Sequence, residues 1–283
     1  MNILITGSSG YLGSHFIKDN AKKYCISNFS LQSQHMEDID FQKLDAVLHC
    51  AGIVHQGQKV SSYEYDRVNI KYPFELATLA KANGVRQFVF ISSISVYGPM
   101  EYIDEKSNCN PHTKYGHSKF EAEKRLLELN DSQFKVSILR IPMVYGPQAP
   151  GNIQSVFKLV KYLPIIPLGN INNERSFISI QNLTYSIDRV LNYQKGGIFL
   201  LADDKTISTS SLVSILIKGI KKNRIVLDSG LIKHPCRFLA PNIYKKLWEN
   251  LVINCNVSKR LLSLDFPVDI KEGLTDMAQL KSK

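Results

Sequence analysis

The 283-residue sequence has few cysteines and no pattern among them. The five are Cys25, Cys50, Cys109, Cys236 and Cys255, odd in number and without a C-x-x-C spacing. This argues against a disulfide framework or a zinc site and predicts reduced thiols in a cytoplasmic protein. No apolar run approaches the about 18 residues that span a bilayer. The opening MNILITGSSG lacks the basic head and cleavage site of a secretion signal.

Internal repeats, low-complexity tracts and Pro/Gly-rich linkers are also missing. Hydrophobic residues at 44% and charged residues at 21% are typical of a globular protein. The length allows one large domain or a domain with a smaller lobe. We expect a boundary near residue 150.

The net charge of +10 belongs almost entirely to the second half of the chain. Residues 1–150 hold 16 Lys and Arg against 15 Asp and Glu, whereas residues 151–283 hold 19 against 10. Such an excess predicts an anionic partner, either a phosphorylated substrate or the acidic surface of a membrane touched peripherally. A basic surface that only aids solubility is the alternative. No nucleic-acid partner is expected, since no nucleic-acid-binding motif accompanies the charge.

Short apolar runs alternate with helical patterns along the first half. This alternation predicts an α/β fold, a Rossmann-type doubly wound parallel sheet with a smaller C-terminal lobe. Strands are predicted at 2–6, 24–27, 46–50, 87–93 and 135–140. Helices are predicted at 11–20, 62–82, 153–162, 181–193 and 208–221. Strands predicted at 177–180 and 197–202 are candidates to rejoin the main sheet. Further on, NIYKKLWENLV is amphipathic enough for a surface or membrane-facing helix, but a core helix is the favoured interpretation.

The segment ITGSSGYLGS places Gly7, Gly10 and Gly13 between the first strand and the first helix. Gly7 permits a tight turn, Gly10 lets a pyrophosphate approach the backbone, and Gly13 lets the helix pack on the sheet. The helix N-terminus then offers free N–H groups to the phosphates. The glycines in this context predict dinucleotide binding.

An acidic residue that would hold the adenosine ribose is missing after the second strand. YCISNFSLQ offers Asn28, Ser30 and Gln32 instead, and no Arg for a 2′-phosphate. The residues themselves therefore leave NAD and NADP both open, with NAD favoured. Asp38 and Ile39 are candidates for the adenine edge, Asp38 being otherwise a solvated loop acid.

Tyr115 and Lys119 lie one helical turn apart in PHTKYGHSKFEAEKRLLEL, so their side chains share one face. The pair is either a solvated surface feature or a proton-transfer device. A free Tyr, with a pKa near 10, is a poor base at neutral pH. A cationic Lys119 one turn away, together with the positively charged nicotinamide of a bound dinucleotide, favours tyrosinate and is expected to bring the pKa of Tyr115 toward the working range.

Several blocks in order resemble the extended short-chain dehydrogenase/reductase family, in its nucleotide-sugar epimerase and ketoreductase branch. The resemblance runs from Met1 to about residue 205. It is carried by TGSSGYLGS, DAVLHCAG, VNIKYPFELATLAKANGVRQFVFISSISVYG, YGHSK, LRIPMVYGP and RSFISIQNL. It implies a dinucleotide-binding domain in residues 1–150 and mostly a substrate-binding lobe in residues 151–283. It also implies a homodimer formed through helices around 65–83 and 114–130.

The resemblance implies roles for individual residues. Tyr115 and Lys119 become the catalytic pair, Ser93 holds the substrate oxygen, and Asn69 supports the site from its helix. Lys119 also holds the nicotinamide ribose. Ser93 is otherwise a plain strand-end serine and Asn69 a helix-surface amide. Further dinucleotide contacts are expected at Tyr11, Leu12, Ala51, Gly52 and Pro142.

The residues after Ser93 separate the reactions of this family. Relatives that dehydrate a nucleotide sugar carry an Asp-Glu pair where this chain has Ile94 and Ser95. Dehydration is therefore not expected. We expect a 4-epimerase of a UDP-hexose or UDP-N-acetylhexosamine, with a UDP-4-keto-6-deoxy sugar reductase as an alternative. A non-catalytic NAD(P)-sensing protein is the alternative from another class.

Substrate contacts are expected at Arg175 and Asn152. In relatives the residue matching Arg175 pairs a nucleotide diphosphate, a job that suits a bidentate guanidinium. A surface ion pair for Arg175 and a helix N-cap for Asn152 are the alternatives. Met143 stands where many relatives have Asn. GNINNERSFISIQNL most resembles enzymes of bacterial surface-polysaccharide pathways, some of which use a polyprenyl-diphosphate-linked sugar. No metal site is expected.

Overall fold

The computed structural model of the protein describes residues 1–31, 33–54 and 60–280, apart from the side chains of Asn152 and Leu280. The strands of this part of the chain are β1 (Asn2–Thr6), β2 (Cys25–Phe29), β3 (Ala46–His49), β4 (Gln87–Ser93), β5 (Tyr102–Ile103), β6 (Lys135–Ile141), β7 (Met143–Tyr145), β8 (Ile165–Gly169), β9 (Phe177–Ser179), β10 (Gly197–Leu200), β11 (Ile225–Asp228) and β12 (Val252–Ile253).

Helices connect these strands. They are α1 (Tyr11–Asn20), α2 (Ser62–Tyr65), α3 (Tyr72–Ala82), α4 (Lys114–Glu128), α5 (Asn152–Tyr162), α6 (Ile180–Tyr193), α7 (Thr209–Ile220), α8 (Gly230–Leu239), α9 (Pro241–Trp248), α10 (Asn256–Leu262) and α11 (Ile270–Leu280). A π-helical segment, Asp66–Lys71, joins α2 to α3. The single helix predicted at 62–82 is thus one helical run whose middle is wider than an α-helix.

The main sheet has six parallel strands in the order β10-β6-β4-β3-β1-β2. Its strands are apolar on both faces, as expected where helices cover a parallel sheet on both sides. Ile3 and Ile5 of β1 point into one core and Leu4 into the other. The α/β prediction with a doubly wound parallel sheet is confirmed.

The sheet order places a crevice at the carboxyl end of β1. Strand β2 lies on one side of β1 and β3 on the other, so the chain leaves the first strand in one direction and returns on the opposite side. In open α/β sheets ligands bind at such a reversal, outside the carboxyl ends of the strands. The glycine turn after β1 and the loop after β3 therefore meet at this crevice.

Two short strands of the second half take different places. Strand β10 joins the edge of the main sheet beside β6. Strand β9 does not join it, because Pro142 ends β6 and the chain continues as β7, with which β9 pairs in a separate two-stranded sheet. The expectation that residues 177–180 rejoin the main sheet is therefore wrong.

A second hydrophobic core lies among α5, α7 and α11, and it includes Phe157, Leu216 and Met277. Helices α8 and α9 pack at its edge through partly buried Ile232 and Leu247. The structure describes α8 and α9 in full, and neither contains a fully buried residue. The expectation that NIYKKLWENLV forms a core helix is therefore wrong. Among the described residues, no helix is long and apolar enough to cross a bilayer.

Candidate active site

The glycine turn closes tightly onto the loop after β3. Gly7 has φ +69°, and a Cβ there would lie 2.7 Å from the backbone N of Ala51. A Cβ at Gly13 would lie 2.4 Å from the carbonyl oxygen of Gly7. Any larger residue at these two positions would push α1 away from the sheet. The turn thus brings the N-terminus of α1 beside the end of β3.

The residues at this crevice fit a dinucleotide. Gly10 is the N-cap of α1, and in the part of the chain that the structure describes no side chain caps this helix end. The first N–H groups of α1, including those of Tyr11 and Leu12, have no partner within the helix and suit a pyrophosphate. The shallow surface left by Gly10 lets the phosphates approach the backbone.

Helix α4 brings Tyr115 to Ser93. Thr113 caps α4, its hydroxyl accepting a hydrogen bond of 3.0 Å from the backbone N of Gly116. A Cβ at Gly116 would lie 2.5 Å from the carbonyl oxygen of Ser95, so α4 rests directly on the segment after β4. Tyr115 is consequently hydrogen-bonded to Ser93, which ends β4.

Burial makes Tyr115 a weaker acid than expected. Desolvation raises its pKa to about 12, although the hydrogen bond with Ser93 acts in the opposite direction. The ammonium group of Lys119 donates a 2.9 Å hydrogen bond to the carbonyl oxygen of Ile91 and lies 4.4 Å from the ring centroid of Phe90. Burial lowers the pKa of Lys119 to about 8. In the polypeptide alone, desolvation dominates the pKa of Tyr115, and the ammonium group of Lys119 is aimed at Ile91. The expectation that Lys119 and the positively charged nicotinamide together favour tyrosinate stays a prediction.

Asn69 clamps the loop after β3 and is not a helix-surface amide, since only 1% of it is exposed. Its Oδ1 accepts a 2.8 Å hydrogen bond from the N–H of Ile53, and its Nδ2 donates to the carbonyl of Ile53 at 3.0 Å. Nδ2 also lies 3.0 Å from the hydroxyl of Ser118 in α4. Asn69 sits in the π-helical segment, a feature that often marks functional sites.

Gly52 is the point where the loop, α4 and the π-helical segment meet. A Cβ placed there would lie 3.1 Å from Oδ1 of Asn69 and 3.4 Å from Nζ of Lys119. The structure therefore brings together Gly52, Asn69 and Lys119, with Ala51 next in the chain. Pro142, the remaining residue expected near the dinucleotide, is buried between β6 and β7.

Residues expected at the adenosine end lie beside β2. Asp38 and Ile39 line a cleft there together with Asn28. Asp38 ends a short 3-10 helix, and Ile39 follows it. Gln32, the third polar candidate for the ribose, lies outside the described residues.

Arg175 lies apart from this group, in a cleft formed by the second half of the chain. Its guanidinium donates to the backbone carbonyls of Glu249 at 2.9 Å and Lys245 at 3.3 Å, both belonging to or following α9. These partners are main-chain oxygens and do not make the surface ion pair considered from the sequence. Burial lowers the pKa of Arg175. The cleft is also lined by Met143 and Leu247.

Asn152 begins α5, but the N-cap of that helix is Gly151. The N-cap alternative for Asn152 is therefore wrong. Its side chain lies outside the described part of the structure, so its expected contact with substrate stays a prediction.

A buried ion pair behind the site was missed from the sequence. Arg140 of β6 donates a 2.6 Å hydrogen bond to Glu123 of α4 and one of 2.7 Å to the hydroxyl of Tyr97. Ser92, next to Ser93, donates to the same carboxylate. The one available signal was an Arg within the apolar strand ILRIP, which requires a buried partner. Ser118 was missed as well, although it stands within YGHSK.

The fold and the crevice define a dinucleotide-binding α/β enzyme. The chain belongs to the NAD dependent epimerase/dehydratase family, whose model matches residues 3–202. This confirms the resemblance drawn from the sequence and the prediction of an NAD-dependent enzyme of the nucleotide-sugar epimerase type.

Individual relatives agree with the family. The chain is 29% identical to a UDP-glucose 4-epimerase of Vibrio cholerae over 98% of its own length and 94% of that protein. It is 24% identical to the N-acetyl-alpha-D-glucosaminyl-diphospho-ditrans,octacis-undecaprenol 4-epimerase of Escherichia coli O157:H7, over 78% of this chain and 73% of the other. The crystal structure of UDP-glucuronic acid 4-epimerase from Bacillus cereus in complex with NAD shares the fold, with a TM-score of 0.78 and 21% identity over 100% and 98% of the two chains.

Proposed function

We propose that the protein is a 4-epimerase of a UDP-hexose or UDP-N-acetylhexosamine. The observation that carries the proposal is the hydrogen bond between Ser93 and Tyr115 beside the Gly52, Asn69 and Lys119 cluster. This group stands at the carboxyl ends of β3 and β4, next to the glycine turn, where family members hold their cofactor. When bound, NAD accepts the hydride from C4 of the sugar and returns it to the opposite face.

The residues of the chain supply the proton transfer. Tyr115 removes the proton of the C4 hydroxyl as the hydride leaves, and gives it back when the 4-keto sugar has turned over. Ser93 holds the same sugar oxygen through its hydroxyl. Lys119 binds the nicotinamide ribose and adds positive charge near Tyr115, which favours tyrosinate. Asn69 fixes the loop on which Gly52 lies, so that the ribose and Lys119 keep their separation.

The reaction stops at hydride and proton transfer because the site has no acid to eliminate water. Ile94 and Ser95 follow Ser93 directly, and the hydroxyl of Ser95 accepts a hydrogen bond of 3.1 Å from Ser93. The hydroxyl of Ser95, hydrogen-bonded to Ser93, is a poor general acid for the loss of water across C5 and C6 of a sugar. Epimerisation and the reduction of a 4-keto sugar are the reactions that remain.

The relatives support the substrate class. Their names specify UDP-glucose and a diphospho-undecaprenol-linked N-acetylglucosamine, both of which carry a diphosphate on C1 of a hexose. We assign the diphosphate to Arg175 and Asn152, and the sugar to Ser93 and Tyr115. Arg175 presents its buried guanidinium on the wall of the second-half cleft, where an anion would gain from the low dielectric. A place in bacterial surface-polysaccharide synthesis goes with this assignment.

Two measurements on the purified protein separate an epimerase from the alternative 4-keto sugar reductase. An epimerase retains NAD, which denaturation releases in near-stoichiometric amount, and it inverts C4 of UDP-N-acetylglucosamine or UDP-glucose without added NAD(P)H. A reductase consumes NAD(P)H stoichiometrically with a UDP-4-keto-6-deoxy sugar and leaves the C4 configuration of the two hexoses unchanged. A cofactor-sensing protein binds NAD and turns over neither. NMR of the sugar product gives the configuration directly.

We further propose that the enzyme works in the cytoplasm as a homodimer, formed through the helices around 65–83 and 114–130. Residues 1–150 with β10 hold the dinucleotide, and the rest of residues 151–283 holds the sugar diphosphate. The basic second half contacts an anionic partner, which is the substrate diphosphate within the cleft and a membrane surface outside it. Light scattering of the purified protein tests the dimer.

A further inference from the structure

The α8–α9 hairpin, residues 230–248, exposes large apolar side chains to solvent. Leu231 is 83% exposed, Phe238 79%, Leu239 86% and Ile243 52%. An isolated exposed leucine is ordinary, but four such side chains within one hairpin are not. The strand that precedes α8 adds Ile225, which is 60% exposed.

The exposed apolar side chains of α8 lie on one face of the helix. Leu231, Pro235, Phe238 and Leu239 follow the spacing i, i+4, i+7, i+8, and all four are exposed. Ile232 and Cys236 form the face that is partly buried against the rest of the protein. The helix therefore has one apolar face packed on the protein and a second apolar face turned outward, where nothing within the described chain covers it.

The hairpin and the segment before it are strongly basic. Lys233 and Arg237 lie one turn apart on α8 and are exposed, and Lys245 is exposed on α9. By helical spacing, Lys233 and Arg237 lie on the other side of α8 from the outward apolar face. Residues 218–246 contain eight Lys and Arg and a single acidic residue, Asp228. A helix with an exposed apolar face and a cationic face opposite it matches the interface of a bilayer that carries anionic lipids. With 10 and 8 residues, the two helices are too short to span a bilayer and suit insertion parallel to its surface.

The hairpin also forms part of the substrate cleft. Leu247 and Lys246 of α9 line it, and main-chain carbonyls of residues 245 and 249 hold the guanidinium of Arg175. A contact made by the hairpin therefore lies beside the wall of the cleft that we assign to the sugar diphosphate.

We propose that the α8–α9 hairpin is a docking surface for membranes containing anionic lipids, and that it holds the cleft at the bilayer surface. Leu231, Phe238 and Leu239 enter the headgroup and acyl boundary, while the positive charge of the hairpin attracts the anionic headgroups. The docking itself does not depend on the reaction. Only the consequence that a lipid-linked sugar diphosphate reaches the cleft from the membrane rests on the proposed function. A second copy of this chain is the other possible occupant, and the excess of positive charge on the hairpin opposes it.

Sedimentation with vesicles tests the proposal on the full-length protein. Wild type is expected to sediment with phosphatidylcholine vesicles that contain phosphatidylglycerol, and much less with phosphatidylcholine alone. The double variant Phe238→Ser, Leu239→Ser should lose binding by about tenfold or more, since two large apolar side chains no longer enter the bilayer. Leu261→Ser on α10, which changes a leucine that is 48% exposed outside the hairpin, is the matched control and should bind like wild type.

Three further readouts keep the result interpretable. Trp248, the single tryptophan, lies on α9, so brominated lipids should quench its fluorescence when the hairpin docks. The double variant should keep its thermal midpoint and its turnover of a soluble UDP-sugar. If neither protein turns over, the proposed function fails while the docking result stands.

The proposal is overturned if wild type does not bind anionic vesicles at low salt. Equal binding by wild type and the double variant, or binding without quenching of Trp248, would place the membrane contact on another surface and reject it too. If light scattering shows that the double variant breaks an oligomer that wild type forms, the hairpin is an interface between copies of this chain.

Discussion

At the scale of single residues, the proposed function requires Tyr115 to work as a base although its surroundings favour the neutral phenol. Burial raises its pKa to about 12, and the hydroxyl of Ser93 offsets only part of that rise. Positive charge near Tyr115 must lower its pKa further for tyrosinate to form. Lys119, whose pKa is about 8, is cationic at neutral pH. Its Nζ lies close to Gly52, 3.4 Å from where a Cβ on that glycine would stand. The nicotinamide ring of NAD is the second cation expected there.

Replacing Tyr115 by Phe tests its role as the base. Tyr115→Phe should retain NAD and lose turnover by about 10²- to 10⁴-fold, the usual contribution of a positioned acid–base group. Tyr63→Phe, at a tyrosine that is 68% exposed on α2, is the control and should leave turnover unchanged. Bound NAD is measured after denaturation and turnover by NMR. Loss of NAD from Tyr115→Phe would mean that this ring binds the cofactor and would not support a role in proton transfer.

Replacing Lys119 by Met should shift the pH dependence of turnover. Turnover needs tyrosinate, so it rises with pH through the apparent pKa of Tyr115. Removing a nearby cation disfavours tyrosinate and raises that pKa, so the acidic limb should move to higher pH by about one unit or more. The measurement is kcat against pH with saturating NAD. A limb at the same pH in both proteins would show that Lys119 does not act on the charge of Tyr115.

The sequence predicted Tyr115, Lys119 and Asn69 as site residues, but it did not show the contacts that Asn69 and the side chains behind the site make. Tyr115 and Lys119 are recognisable because both belong to one helix with a fixed spacing. The clamp made by Asn69 joins a loop to α4 across the π-helical segment, and a helical pattern in the sequence does not show that widening. The partnership of Arg140 with Glu123 joins a strand to a helix and depends on packing that no local pattern encodes.

At the scale of elements, the contact between α4 and the segment after β4 positions the candidate active site. Gly116 has no side chain, so the first turn of α4 can rest on the carbonyl oxygen of Ser95. A methyl group on residue 116 would clash with this carbonyl oxygen, and only a shift of α4 would relieve the clash. The distance from Tyr115 to Ser93 thus depends on Gly116 having no side chain.

Gly116→Ala should therefore reduce turnover with little loss of NAD binding. The added methyl group moves the first turn of α4, and a displacement near 1 Å at a reacting group costs about 10²-fold. His117→Ala, at the exposed neighbouring residue, is the control and should keep wild-type turnover. Full activity of Gly116→Ala would show that α4 does not rest on Ser95 in the working enzyme.

Removing one partner of the ion pair behind the site should destabilise the fold strongly. Its side chains are 8% exposed for Arg140 and 1% for Glu123. Glu123→Leu leaves the Arg140 guanidinium buried without its partner and should lower the free energy of unfolding by about 3–5 kcal/mol. The double variant Glu123→Leu, Arg140→Met should recover most of that loss. Urea unfolding measures the free energy of unfolding of both variants. An equal loss in the two would show that packing volume, and not the unpaired charge of Arg140, causes the destabilisation.

The elements of the first half were predictable because buried parallel strands appear as continuous apolar runs. The second half was harder for a physical reason. An amphipathic pattern shows that a helix has an apolar face but not what covers it, so the segment NIYKKLWENLV, which forms most of α9, was wrongly expected to be a core helix. Likewise, the sequence did not show that β9 would pair with β7, because a three-residue strand carries almost no register information.

At the scale of the whole molecule, the two halves of the chain differ in structure and in charge. The first half supplies five of the six strands of the parallel sheet, the glycine turn and the Ser93, Tyr115 and Lys119 group. The second half supplies strand β10, Arg175, its cleft, and nearly all of the net positive charge. Because eight of those positive charges fall within residues 218–246, we propose two places for the anionic partner predicted from composition. One is the cleft and the other is the outer face of the hairpin.

The most direct test of the account follows a label on the sugar. UDP-N-acetylglucosamine and UDP-glucose carrying deuterium at C4 are incubated with the purified protein without added NAD(P)H, and the products are analysed by NMR. The account predicts that at least one substrate is inverted at C4 and keeps its deuterium there, because the hydride leaves and returns to the same carbon. Retention of configuration in both sugars, or loss of the C4 deuterium to solvent on inversion, would contradict it.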